Sequence, residues 1–153
     1  MHEQESISRL LFDLNSAAGD YRSEAECFAS PEDKSLLELL ARRCERFAAE
    51  IEKASGASTA FSNGAARRRA ETLQTMEKNN ERERFFVRIE GRESRLERLY
   101  REILRSGDVS AEIRRLLEGQ LRAVSKWHNF VIIEEVNFIF GSEVKIPSEL
   151  HEI

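Results

Sequence analysis

The sequence predicts an all-α protein folded as a four-helix bundle, and three observations lead there. Four stretches repeat apolar residues at i, i+3, i+4 spacing, the period of a helix with one buried face. Charged residues make up 34% of the 153 positions, against only 7 Gly and 2 Pro, a mixture that favours long helices over sheet. At mid-height the apolar stripes are interrupted by Cys44, Glu93 and His128, and helical bundles place buried sites at such interruptions.

The first helix is expected from about Gln4 to Cys27, with Ile7, Leu10, Leu11, Leu14, Ala17, Ala18, Tyr21, Ala25 and Phe28 on one stripe. Its boundary with the second is sharply written. Ser30 suits an N-cap, Pro31 the first helical position, and Glu32 and Asp33 put negative charge in the first turn. Helix two continues through Leu36, Leu37, Leu40, Ala41, Cys44, Phe47, Ala48 and Ile51. It should stop near Ser55-Gly56, where Gly takes the left-handed conformation that ends helices.

A small, polar loop follows from Gly56 to Gly64. The stretch Ala65 to Asn80, which holds Arg67-Arg68-Arg69, reads as a surface helical turn or crossover with a solvated basic face. Helix three is expected from about Arg82 to Arg105, carried by Phe85, Phe86, Ile89, Leu96, Leu99, Tyr100, Ile103 and Leu104. Between Ile89 and Leu96 the stripe lands on Arg92 and Glu93. Ser106-Gly107-Asp108 ends it, and Asp108 or Ser110 caps the next.

Helix four carries Ile113, Leu116, Leu117, Leu121, Val124, Trp127, His128 and Val131. From Phe130 to Phe140 it is apolar nearly all round, which implies burial on more than one side, against a second copy of the chain. The β-branched content there leaves a strand open as the alternative. Residues 1–140 are thus expected to form the bundle and 141–153 a short, irregular C-terminal tail. A short, a long and a short connection fit either an up-down-down-up or an up-down-up-down bundle.

Composition bounds the function. The formal net charge is −4, with 24 basic and 28 acidic side chains interspersed, so no general basic field favours nucleic acid. No apolar run approaches the ~20 residues of a membrane helix. The acidic start Met1-His2-Glu3-Gln4-Glu5 lacks the basic head of a signal peptide, and the expected location is cytoplasmic. Cys27 and Cys44, the two cysteines, are expected as reduced thiols.

Several local patterns resemble one family. They are Tyr21-Arg22-Ser23-Glu24-Ala25-Glu26, Pro31-Glu32-Asp33-Lys34-Ser35-Leu36 and Arg46-Phe47-Ala48-Ala49-Glu50-Ile51, followed by Glu90-Gly91-Arg92-Glu93-Ser94, Leu99-Tyr100-Arg101-Glu102 and Leu116-Leu117-Glu118 through His128. In that order they resemble the bacterial ferritin-like four-helix bundles known as domain of unknown function 2383, over about Leu10 to Phe130. The resemblance implies a long crossover between helices two and three. It also implies a distant relation to di-iron bundles, where a Glu from each of two helices and a Glu-x-x-His from each of the others bind two metals.

Carried over position by position, that ligand set is short. Helix one offers Ser16 or Gly19, and helix two offers Cys44-Glu45-Arg46-Phe47 without a His. Helix three provides Glu90 and Glu93, and helix four provides Ser125-Lys126-Trp127-His128, which keeps the His without its Glu. Glu90, Glu93 and His128 are therefore the candidate metal ligands, and too few for iron or manganese.

The structural alternatives are more economical. His128 is expected as a core-edge histidine hydrogen-bonded to Glu93. Glu93 is expected as a buried acid paired with Arg92, His128 or another Arg, and Glu90 on the flank. Cys44 fits as a small apolar filler, and Tyr21 and Trp127 fit as core residues whose polar tips reach the surface. No Ser/His/Asp arrangement and no phosphate loop is present. The sequence thus points to a ferritin-like bundle with no catalytic role and no cofactor. It would act through an unknown protein partner and as a homo-oligomer through the C-terminal part of helix four, without nucleic acid or membrane. The competing expectation is a metal-dependent oxidoreductase built on Glu90, Glu93 and His128.

Overall fold

Periodic apolar stripes become four long helices. The computed structural model describes residues 3–27, 31–57, 82–139, 146–148 and 150, with backbone alone at 82–84 and 135–139. The helices are α1 (Glu3–Cys27), α2 (Pro31–Ser55), α3 (Arg82–Ser106) and α4 (Ala111–Ile139), and the described residues include no strand. The loop after Ala57, the Ala65–Asn80 stretch with its Arg triplet, the Ser30 cap, Phe28 and Phe140 lie outside the described residues.

The punctuation works as its chemistry requires. Gly56 and Gly107 adopt φ of 74° and 73°, the left-handed geometry that lets α2 and α3 end. Gly56 N donates to Glu52 O at 2.9 Å, closing the last turn of α2. Of the two candidate caps for α4, Ser110 is used: its Oγ accepts from Ile113 N at 3.3 Å and its carbonyl from Arg114 N at 2.9 Å. The 130–139 stretch continues α4 rather than forming a strand. Here contact with the core outweighs β propensity, since Phe130 and Val131 are buried.

α1 packs chiefly on α2 and α3 chiefly on α4, so the chain forms two helical hairpins. The hairpins meet along two lighter seams, α1 with α3 and α2 with α4. Direction follows from the pairs that cross. Arg9 meets Glu102 at 3.9 Å while Glu24 meets Arg92, so α1 and α3 are antiparallel. Arg43 meets Glu93, and farther along both helices Phe47 and Tyr100 meet the same Gln120, so α2 and α3 run the same way.

One apolar core runs through all four helices. It is filled by leucines and isoleucines with Phe85, Phe86, Tyr100 and Trp127, the last in edge contact with Phe130 at 5.9 Å. Beyond α4, Leu150 is buried in this core and Ile146 packs against it. No helix among the described residues is long and apolar enough to cross a membrane.

Candidate functional site

Two of the polar interruptions, Cys44 and Glu93, meet at the joint between the two hairpins. Glu93 lies on the inner face of α3, and its carboxylate is fully buried. Arg43, on α2, reaches it with both terminal nitrogens: Nη1 donates to Oε1, and Nη2 to Oε2 at 2.8 Å. The Tyr21 hydroxyl, from α1, donates to the same Oε2 at 2.5 Å. Three helices therefore meet on one carboxylate whose two oxygens are already occupied. Arg43 Nη2 also touches Cys44 Sγ at 3.3 Å.

A second pair sits beside the first. Arg92 holds Glu24 of α1 in a fork, Nη2 to Oε1 at 2.6 Å and Nη1 to Oε2 at 3.1 Å. Asp20 lies 3.7 Å from Arg92 Nε, and Arg88 reaches Glu24 at 3.4 Å. The Arg92 guanidinium stands 4.9 Å over the Tyr21 ring, which links the two pairs. A neutral bridge closes the α2–α4 side: Tyr100 donates to Gln120 Oε1 at 2.7 Å, and Gln120 Nε2 donates to Phe47 O at 3.2 Å and Glu50 Oε1 at 3.0 Å.

Burial sets the electrostatics. Burial pushes the Tyr21 phenol well above its ordinary value, and the Glu93 charge beside it adds to the shift. Burial also raises the Cys44 thiol, with Arg43 opposing, so Cys44 stays a thiol and a filler rather than a nucleophile. Arg43 loses hydration by the same burial, yet the neighbouring Glu93 outweighs it and holds the guanidinium charged.

Of the three candidate ligands, Glu90 and His128 come together, and Glu93 stands apart from both. Glu93 pairs with an arginine as expected, but that arginine is Arg43, joined by Tyr21, and neither Arg92 nor His128 is its hydrogen-bond partner. His128, expected to bond Glu93, instead bridges two other acids of α3. Its Nε2 lies 2.9 Å from Glu90 and its Nδ1 2.8 Å from Glu97. It sits about one helical position outside the stripe that carries Trp127, and so meets the outer edge of α3. Tyr21 and Trp127 are also corrected, because their polar tips do not reach the surface. Both residues are buried, and Trp127 Nε1 has no hydrogen-bond partner.

Arg43 and Glu24 went unread. Both sit next to apolar stripe positions, Arg43 beside Cys44 and Glu24 beside Ala25. The available signal was spacing: Arg43 is three residues from Leu40 and four from Phe47, and Glu24 is three from Tyr21, so each lies on the inward arc.

A neutral imidazole has one N–H, yet both ring nitrogens of His128 face carboxylates. The arrangement therefore suits the imidazolium, which donates twice. Partial burial works against that charge, but the hydrogen bonds to Glu90 and Glu97 prevail and raise the His128 pKa above its ordinary 6.5. Glu97 is lowered from 4.5: burial opposes this, and hydrogen bonds from Arg101 and His128 outweigh it. A raised His pKa stabilises the fold below the ordinary His value and is lost as pH climbs through the folded value. A lowered Glu pKa stabilises above the ordinary carboxylate value and is lost as pH falls through the folded one. The α3–α4 clamp should thus be strongest between the two. Stability of the wild type should fall as pH rises from the ordinary His value through the raised one, and His128→Gln should flatten that limb. Parallel pH profiles of the two proteins would count against the clamp.

A metal pair does not fit this centre. Both oxygens of Glu93 are engaged by Arg43 and Tyr21, and a permanent guanidinium cation already stands where a metal would need to approach. Glu90 and Glu97 address opposite nitrogens of His128, so they cannot share one ion with it. Among the described residues no three His, Cys, Asp or Glu side chains converge as ligands. No family model, no curated protein and no solved structure matches the chain.

Proposed function

We propose that this protein is a ferritin-like bundle that performs no catalysis and works through contacts with other proteins. The observation that carries the reading is the buried Arg43–Glu93–Tyr21 group, whose internal partners consume the donors a redox centre would need. Helices α2 and α3 run the same way, the relative direction that a ferritin-like topology asks of its second and third helices, and this supports the reading. The sequence patterns from Tyr21 to His128 support the same bacterial family, and the acidic start supports a cytoplasmic location.

Elemental analysis tests the catalytic alternative. Purified protein should carry only substoichiometric iron and manganese. One or two equivalents, lost on His128→Ala or Glu93→Gln, would reverse the reading in favour of a metal-dependent oxidoreductase.

The proposed self-association uses the end of α4, where Ile132 and Ile133 are exposed, together with exposed Val87 of α3. Sedimentation at micromolar concentration should give a dimer that Ile133→Lys shifts towards monomer. A wild-type monomer under the same conditions removes this part of the proposal.

A further inference from the structure

The α2–α4 seam opens outward as a groove of about 450 Å³, and its chemistry differs from that of the other seams. Its floor is apolar and low. Phe47 and Leu116 supply the surface, and Gly119 and Ala123, one turn apart on α4, leave room for a close backbone. A Cβ built on Gly119 would meet only Arg122 Nη2, at 3.7 Å.

The rim is cationic. Arg46 lies 5.3 Å over the Phe47 ring, Arg115 stands across from it on α4, and Arg122 leans over Gly119. All three are exposed, and among the described residues none is held by a carboxylate. On the α1–α3 seam the arginines are engaged: Arg9 with Glu102, Arg88 and Arg92 with Glu24. The one acid lining the groove, Glu50, accepts a hydrogen bond from Gln120. In a chain of net charge −4, three guanidiniums without a carboxylate among the described residues, set around an apolar trough, are a local reversal of sign.

We propose that this groove docks an acidic amphipathic helix of a partner protein. Its small or apolar face would lie on Gly119, Ala123 and Leu116, and its carboxylates would reach Arg46, Arg115 and Arg122. Helix-in-groove binding asks for this pairing of apolar floor and charged rim. Nucleic acid is disfavoured because the only aromatic ring in the floor lies beneath Arg46, leaving no face for a base. A bilayer is disfavoured because the site is concave. The proposal rests on the protein-contact reading above and names the surface and the class of partner.

The test is selection from a displayed library of 20-residue amphipathic helices rich in Glu and Asp, beside a matched library with Gln and Asn. The full-length chain is the bait, with heparin and anionic phospholipid vesicles as parallel probes. Acid-rich helices should be enriched over their amide counterparts and bind more weakly as salt rises. Combined Arg46→Gln, Arg115→Gln and Arg122→Gln should weaken them about tenfold or more, with circular dichroism and unfolding midpoint unchanged. The charge-reversed Arg→Glu set should abolish binding. Equal enrichment of both libraries, equal binding to the neutralised variant, or groove-dependent binding of heparin or vesicles alone would each overturn the proposal. Acidic helices that bind the neutralised variant undiminished would remove the groove while leaving the protein-contact reading intact. Stoichiometric metal removes that reading by a separate measurement.

Discussion

Arg43→Met is expected to cost about 3–5 kcal/mol of unfolding free energy, because it strands the Glu93 carboxylate in the core with only the Tyr21 hydroxyl to meet it. A buried charge without its counter-ion retains most of its desolvation penalty. The Arg43–Glu93 attraction itself is worth much less once both ions have left water. The second half of the prediction therefore has the opposite sign. Arg43→Met combined with Glu93→Leu should recover most of the loss, and any excess over wild type would mean that the ion pair was retained for alignment rather than strength. Urea unfolding of the four proteins gives the coupling directly. A loss below about 1 kcal/mol in the single variant would contradict full burial of Glu93.

Glu24→Ala should rank next, at about 3 kcal/mol. It removes the acceptor of both Arg92 and Arg88, and the two arginines do not suffer equally. The Arg88 side chain is 18% exposed and can turn to water, whereas that of Arg92, at 9%, is pinned over Tyr21 with Asp20 as its remaining acid. Glu24→Gln keeps an acceptor in place and should lose about 1–3 kcal/mol. Because Arg92 lies over the ring whose hydroxyl serves Glu93, the Glu24 and Arg43 effects should not add. Thermal unfolding of the single and double variants checks both points. Strict additivity would separate the two pairs energetically.

The helices were legible because their signals are local. Pro31 with two acids opens α2, Gly56 and Gly107 close α2 and α3, and the apolar spacing names nearly the whole core before any contact is known. The inward acid Glu93 was legible for the same reason, as a polar residue on an apolar arc. Its partner was not, because pairing across helices depends on rotation and register, which one helix's sequence does not encode. Arg43 and Glu24 carry charges that composition assigns to the surface. Spacing sets both on the inward arc, but only the meeting of two hairpins supplies the partners that let their charges stay there. His128 shows the limit most sharply: one helical step of about 100° moved it from Glu93 to Glu90 and Glu97.

The bonds of Arg43 and Tyr21 to Glu93, and of Arg92 to Glu24, pass from one hairpin to the other, and such a latch does not register whether its halves belong to the same molecule. Two chains that exchange their α3–α4 hairpins satisfy every one of those charges as well as a single chain does. Shortening the stretch of sequence between Ser55 and Arg82 should therefore convert the protein into an intertwined pair without altering one residue of its interior.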